Sequence, residues 1–277
     1  MTLPADSHVH SEWSWDAPGG SMAESCRRAV DLGLPAIAFT EHVDHTVWRV
    51  ATELLAPEDH LTRMSEDGLL RPPAFDVEGY LAAVEECRDR FPELRVLSGL
   101  ELGEPHRHAP QVGDVLRRGD FDRVLGSVHS LPSGSEYAEP PGLFPRLGAA
   151  EVLRRYLAEV VDLASSDGHF EVLAHIDYPL RSWPSHAAPF DPHDFEHDFR
   201  ETLRAVASSG RALEVSTRVP LHRLLLRWWR EEGGQAVSFG SDAHDPASVA
   251  RGFRAVVHLA ESEGFRPGPH PHELWGR

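Results

Sequence analysis

The residues of this chain that could do chemistry are histidines and carboxylates placed at the ends of short apolar runs. Asp6, His8 and His10 stand two apart in DSHVH. Residues two apart in a strand share a face, so this spacing predicts three polar groups pointing one way. Similar groups close other runs, at Thr40-Glu41-His42, Gly99-Leu100-Glu101, Ser127-Val128-His129, His175-Ile176-Asp177 and Ser241-Asp242-Ala243-His244. Any one of these alone reads as a hydrogen-bonded histidine or a helix-capping carboxylate. Their recurrence at six run ends points elsewhere, because buried charges need metals or partners. Imidazole and carboxylate without thiolate suit Zn²⁺, Mn²⁺ or Fe²⁺ in a catalytic site and argue against structural zinc. The candidates exceed one tetrahedral shell, which predicts a multinuclear site able to clamp a phosphoryl group.

The elements that must position these groups follow from the pattern of apolar residues. Runs rich in Val, Ile, Leu and Phe predict strands over 2–8, 35–40, 95–100, 122–128, 170–176, 211–217 and 235–240. Helical periodicity falls between them, at about 21–33, 77–91, 110–118, 149–168, 194–209, 220–232 and 246–262. Seven β-α repeats predict an α/β fold, a (β/α)7 distorted TIM-like barrel with parallel strands and the polar cluster on its C-terminal face. Residues 44–74, 131–148 and 182–193 break the rhythm with prolines and read as irregular loops on that same face. The expectation is one domain over 1–265 and an extended, poorly packed tail over 266–277.

Composition excludes several function classes. The 277 residues carry 27 basic and 44 acidic side chains, a formal charge of −17 that disfavours long nucleic acid as a partner. A small phosphorylated substrate stays compatible, since bound metals supply local positive charge. Every basic side chain other than histidine is Arg, and with no lysine there is no Schiff base, no PLP attachment and no Walker A loop. No apolar run has the length of a membrane span. The opening MTLPAD lacks a signal-peptide pattern, and Cys26 and Cys87 stand far apart, so the expectation is a cytoplasmic protein with no membrane association. Oligomeric state is left open.

Taken together, DSHVH, TEH at 40–42, GLE at 99–101, SVH at 127–129, HID at 175–177 and SDAH at 241–244 resemble the PHP (polymerase and histidinol phosphatase) family over nearly the whole length. The resemblance implies a seven-stranded barrel with up to three metals. One metal would be held by His8, His10, Glu101 and Asp242. A second would be held by His129 and His175 with Glu101 bridging, and a third by Asp16, His42 and His244. Many relatives have His where this chain has Asp16, a harder oxygen ligand; Asp16 also reads as a cap for the helix starting near Ser21. HIDYPLR at 175–181 and LEVST at 213–217 are similar to segments of histidinol-phosphate phosphatases in the family. Arg181 and Arg218 would fork onto phosphate oxygens, Arg218 reading equally well as a surface ion-pair residue. His106, with Glu104 and His108, would contact substrate or lie in a solvated loop, and Trp13, Trp15 and Trp48 would wall the pocket or pack.

The implied activity is hydrolysis of a small phosphomonoester, with L-histidinol phosphate as the named substrate. Water activated by the metals would attack phosphorus, Arg181 would stabilise the equatorial oxygens, and Asp177 or a cluster histidine would protonate the leaving group. Asp6 would orient His8 or His10. The alternatives are a nucleotide or short-oligonucleotide phosphatase or exonuclease of the same family, and a non-catalytic metal-binding or regulatory barrel. An amidohydrolase-type barrel is disfavoured, because its bridging carboxylated lysine has no counterpart here.

Overall fold

The computed structural model describes residues 3–277. In chain order the strands are β1 (Asp6–Val9), β2 (Ala36–Val43), β3 (Trp48–Arg49), β4 (Leu69–Leu70), β5 (Arg95–Gly103), β6 (Arg123–Ser127), β7 (Leu131–Ser133), β8 (Glu136–Ala138), β9 (Val172–Leu173), β10 (Ala212–Ser216), β11 (Ala236–Gly240) and β12 (Trp275–Gly276). The helices are α1 (Met22–Leu32), α2 (His60–Met64), α3 (Val77–Arg90), α4 (Ala109–Leu116), α5 (Pro140–Leu147), α6 (Ala149–Ser165), α7 (Glu196–Ser208), α8 (Arg223–Glu231) and α9 (Phe253–Ser262).

The main sheet runs β1-β2-β5-β6-β9-β10-β11-β12. Its first seven strands pair in parallel. A parallel bridge between Val9 and Ala243 joins the first of these strands to the chain just past the last, with Asp242 N donating to His8 O at 2.8 Å and His10 N donating to Ala243 O at 2.8 Å. The seven predicted parallel strands are therefore present in a curled sheet that turns back on itself. That bridge also lays the DSHVH and SDAH segments side by side.

Helices cover the sheet through apolar stripes at helical spacing. On α6, Val152, Tyr156, Val160 and Leu163 are buried together, the i, i+4, i+8, i+11 pattern of a core-facing side. The Tyr156 hydroxyl finds its partner at the carbonyl of His175, 2.9 Å away. Packing on the outside thus fixes a backbone position on the rim. Ser21 caps α1 by accepting from Glu24 N, and Gly33 ends it at φ 69°. Asp16 does not cap that helix.

Four expectations need correction. The segments at 44–74 and 131–148 are not simply irregular: they build a second sheet in the order β4-β3-β8-β7, and α2 and α5 beside it. Strands of two or three residues have no readable period, which is why the sequence concealed them. The predicted helix at 246–262 is interrupted. Pro246–Ser248 forms a 3₁₀ turn capped by Asp245, Gly252 takes φ 75°, and α9 begins only at Phe253. The predicted strand at 170–176 shrinks to Val172–Leu173, because His175 turns to φ 22°. The tail has no buried residue over 266–274, as expected, but is anchored at its end. Trp275 is 5% exposed, pairs antiparallel with Val237 and sets its ring 4.9 Å from Phe239. Burial of a large apolar side chain contributes about 1.5–3 kcal/mol, which helps to hold the last residues against β11. Among the described residues no helix is long and apolar enough to cross a membrane.

Candidate metal centre

Register brings the polar strand ends together. His42 on β2 lies directly beside Glu101 on β5, and the Val9–Ala243 bridge sets His8 and His10 against Asp242. The nine candidate ligands from the sequence gather around Glu101 and Asp16. Glu101 Oε2 lies 3.2 Å from His8 Nε2, 3.4 Å from His10 Nε2 and 3.3 Å from His42 Nδ1. Its other oxygen, Oε1, lies 3.2 Å from His129 Nε2 and 2.7 Å from His175 Nε2. Asp242 Oδ1 lies 3.3 Å from His10 Nε2 and 3.7 Å from His8 Nε2. Asp16 Oδ2 lies 3.3 Å from His42 Nε2 and 3.1 Å from His244 Nε2.

The donor set fits divalent ions on two grounds. Four ligands at about 2.05 Å around a tetrahedral ion lie about 3.3 Å from one another. His8 and His10 lie 3.1 Å apart, and each stands 3.2 to 3.7 Å from an oxygen of Glu101 and of Asp242. The second ground is the orphaned atoms. Glu101 Oε2, Asp16 Oδ1, His42 Nδ1 and His175 Nδ1 are buried without a hydrogen-bond partner. Leaving such groups unpaired costs several kcal/mol for each charge. Compatible groups of three or more ligands recur across the cluster, including His8, His10 and Glu101, and Glu101, His129 and His175.

A surrounding layer fixes which nitrogen faces inward. His8 Nδ1 sits 2.6 Å from Glu214 Oε2, which leaves Nε2 for the centre. His129 Nδ1 faces Asp44 Oδ1 at 3.3 Å. Ser14 Oγ donates to Glu41 at 2.6 Å and accepts from His42 N, so His10 Nδ1, 3.0 Å away, must be the donor to that oxygen. Outer partners of this kind set the tautomer and raise ligand basicity. Two glycines make room for them. A Cβ at Gly240 would sit 2.7 Å from His8 Cβ and 2.8 Å from the Glu214 carboxyl carbon. At Gly103 a Cβ would collide with Asp44 Oδ1 at 1.9 Å.

Electrostatics show how strongly the carboxylates act. Burial would lower His8, yet Glu214, Glu101 and Asp242 carry it well above its ordinary value. Burial also opposes charge on His42, but Asp16 and Glu101 raise it to about 9. His175 goes the other way, to about 4, through burial and the nearby Arg181. A field that draws protons onto imidazoles draws divalent cations too, and metal binding then releases those protons. Left-handed backbone at His175 (φ 22°) and Asp242 (φ 51°) marks strain at two of these positions.

The cluster floors a cleft of about 590 Å³, counting its open mouth. Arg181 and Arg218 both line it. Arg181 pairs with Asp242 and stacks 4.9 Å above the Tyr178 ring. Arg218 Nη1 reaches Asp242 Oδ1 at 3.4 Å and His244 Nδ1 at 3.1 Å. Trp15 and Trp48 are on the wall, whereas Trp13 packs against Gly79.

Three expectations do not survive the geometry. Asp6 orients no imidazole: it accepts from Ser241 N and Oγ and from Ala250 N. The register shift between Asp6 and Val9 breaks the spacing-two rule there, and Glu214 occupies the role expected of Asp6. His106 does not line the cleft and is held by Glu159 at 2.6 Å. Asp177 is buried beside Arg181 and off the cleft wall. Burial pushes its carboxyl up to about 7 against the pull of Arg181. Sequence reasoning missed Asp44, Glu214, Tyr178 and Glu139. Asp44 was findable, standing two after His42 on β2's line.

Comparison with known proteins agrees with this geometry. The PHP domain model matches residues 6–218. A probable histidinol-phosphatase of Deinococcus radiodurans is 30% identical over 276 residues, covering 96% of each chain. A histidinol-phosphatase of Lactococcus lactis is 25% identical, covering 96% of this chain and 91% of its own. The crystal structure of histidinol phosphate phosphatase from Lactococcus lactis, complexed with zinc, L-histidinol and phosphate, shares the fold with a TM-score of 0.79 at 21% identity, covering 99% of both chains. The chain belongs to the PHP domain family.

Proposed function

We propose that this chain is a metal-dependent phosphomonoesterase that hydrolyses L-histidinol phosphate to histidinol and phosphate, using two or three divalent ions of Zn²⁺, Mn²⁺ or Fe²⁺. The observation that carries the reading is the convergence of His8 and His10 on both Glu101 and Asp242, beside a second group built on Glu101, His129 and His175. Curated relatives that match 96% of the chain are named for this activity.

When bound, the ions supply charge neutralisation at the phosphoryl oxygens and bring the pKa of water toward neutrality. The chain's own groups do the rest. Glu214, Asp44 and the Ser14–Glu41 pair hold three imidazoles in one orientation. Arg181, steadied on the Tyr178 ring, offers a planar fork to two phosphate oxygens as negative charge builds there. Arg218 reaches the same mouth from the segment after β10. His244 is the most exposed imidazole of the cluster, at 21%, and lines the cleft wall beside Arg218. Asp177, off that wall, acts as a charge partner beneath Arg181.

The test is phosphate release by purified protein from L-histidinol phosphate beside a panel of nucleotides and simple phosphomonoesters. The expected result is that kcat/KM is highest for L-histidinol phosphate. Preferential turnover of nucleotides would keep the chemistry and replace the substrate.

A further inference from the structure

The cluster and its arginines account for the phosphate end of a substrate. They leave unexplained the upper part of the cleft, which the small four-stranded sheet builds. Glu139 follows β8 and occupies the N-cap of α5, yet its side chain makes no capping hydrogen bond. It lines the cleft instead. The Tyr178 hydroxyl donates to Glu139 Oε1 at 3.1 Å. Among the described residues no Arg or His pairs with it, and both cleft arginines are engaged at Asp242. Trp15 and Trp48, with ring centroids 5.6 Å apart, line the same cleft. The buried indole N–H of Trp48 has no partner.

A carboxylate with no ion-pair partner of its own, in a cleft that also carries aromatic side chains, is a recognition site for an organic cation. Tyr178 spans the gap from the arginine end to this one, its ring beneath Arg181 and its hydroxyl on Glu139. We propose that Glu139, with Trp15 and Trp48, binds the ammonium-bearing end of the substrate's leaving group and so selects cationic phosphomonoesters over neutral ones. This rests on reading the centre as a phosphomonoesterase. It deepens that reading by assigning a residue to substrate choice.

The experiment compares wild type and Glu139→Gln, each with its metal content measured, on L-histidinol phosphate and p-nitrophenyl phosphate. The ratio of the two kcat/KM values is expected to fall about 10- to 100-fold in the variant, the range for a lost charge-assisted hydrogen bond. Tryptophan fluorescence titrated with L-histidinol should report a matching loss of affinity. An unchanged ratio would overturn the proposal. If wild type does not turn over L-histidinol phosphate, the substrate reading fails on its own. Glu139 is then judged with phosphoethanolamine against ethyl phosphate. A preference for the amine that Glu139→Gln erases supports the proposal, and no preference overturns it. If Glu139→Gln does not fold, Glu139→Ala is measured on the same pairs, with the same two outcomes.

Discussion

Glu101→Gln should empty the centre. Its two oxygens face five imidazoles from four different strand ends, at 2.7 to 3.4 Å. It is the group common to both main ligand sets, so an amide there removes negative charge from two ions at once. Loss of an outer partner of a metal ligand costs about 10- to 100-fold in affinity or activity. Loss of a shared ligand itself should therefore exceed about 100-fold in kcat, with metal content falling in the same sample. The side chain is isosteric and the strand pairing on either side of Glu101 is untouched, so circular dichroism should show an intact fold. A variant that kept its metals and its kcat would remove Glu101 from the centre.

Arg181→Met should do the opposite on one axis. The guanidinium is nearly buried, rests on Tyr178 and pairs with Asp242. Methionine keeps most of the apolar stem and deletes the fork. Removing a donor aimed at developing charge costs about 10²–10³-fold in kcat. Metal content should hold, because Asp242 loses a competitor for its oxygens rather than a support. Arg181→Lys should recover only part of the rate, since an ammonium cannot grip two oxygens in a plane. The pair of variants thus separates holding the ions from holding the phosphoryl group. Loss of metal in Arg181→Met would place the arginine in the first role instead.

What could be read from the sequence depended on physical constraint. His8, His10, Glu101, His129, His175 and Asp242 stood out because polar groups at the ends of buried strands have few reasons to be there. The parallel strands were legible from apolar runs between helical stretches. Glu214 was hidden inside LEVST, where a single acid in a strand has no pattern to announce it. Asp6 misled for a related reason: the alternation rule holds only for an unbroken strand, and β1 shifts register. The small sheet bearing Trp48 and leading into Glu139 arises from long-range pairing of two proline-broken loops. No local signal encodes that pairing. The anchored end of the tail was hidden because a single Trp275 packs it and carries no periodic signal. Arg218 read equally well as a surface or a site residue, and the structure puts it at the cleft mouth.

The most direct test is to strip the protein with a chelator and titrate metal back while following phosphate release from L-histidinol phosphate and bound metal per chain. Activity should fall to background on removal. It should return as Zn²⁺ or Mn²⁺ fills the centre, levelling off at two or three ions per chain. Full activity in protein shown to be free of metal would contradict the assignment of this histidine and carboxylate cluster as the catalytic centre.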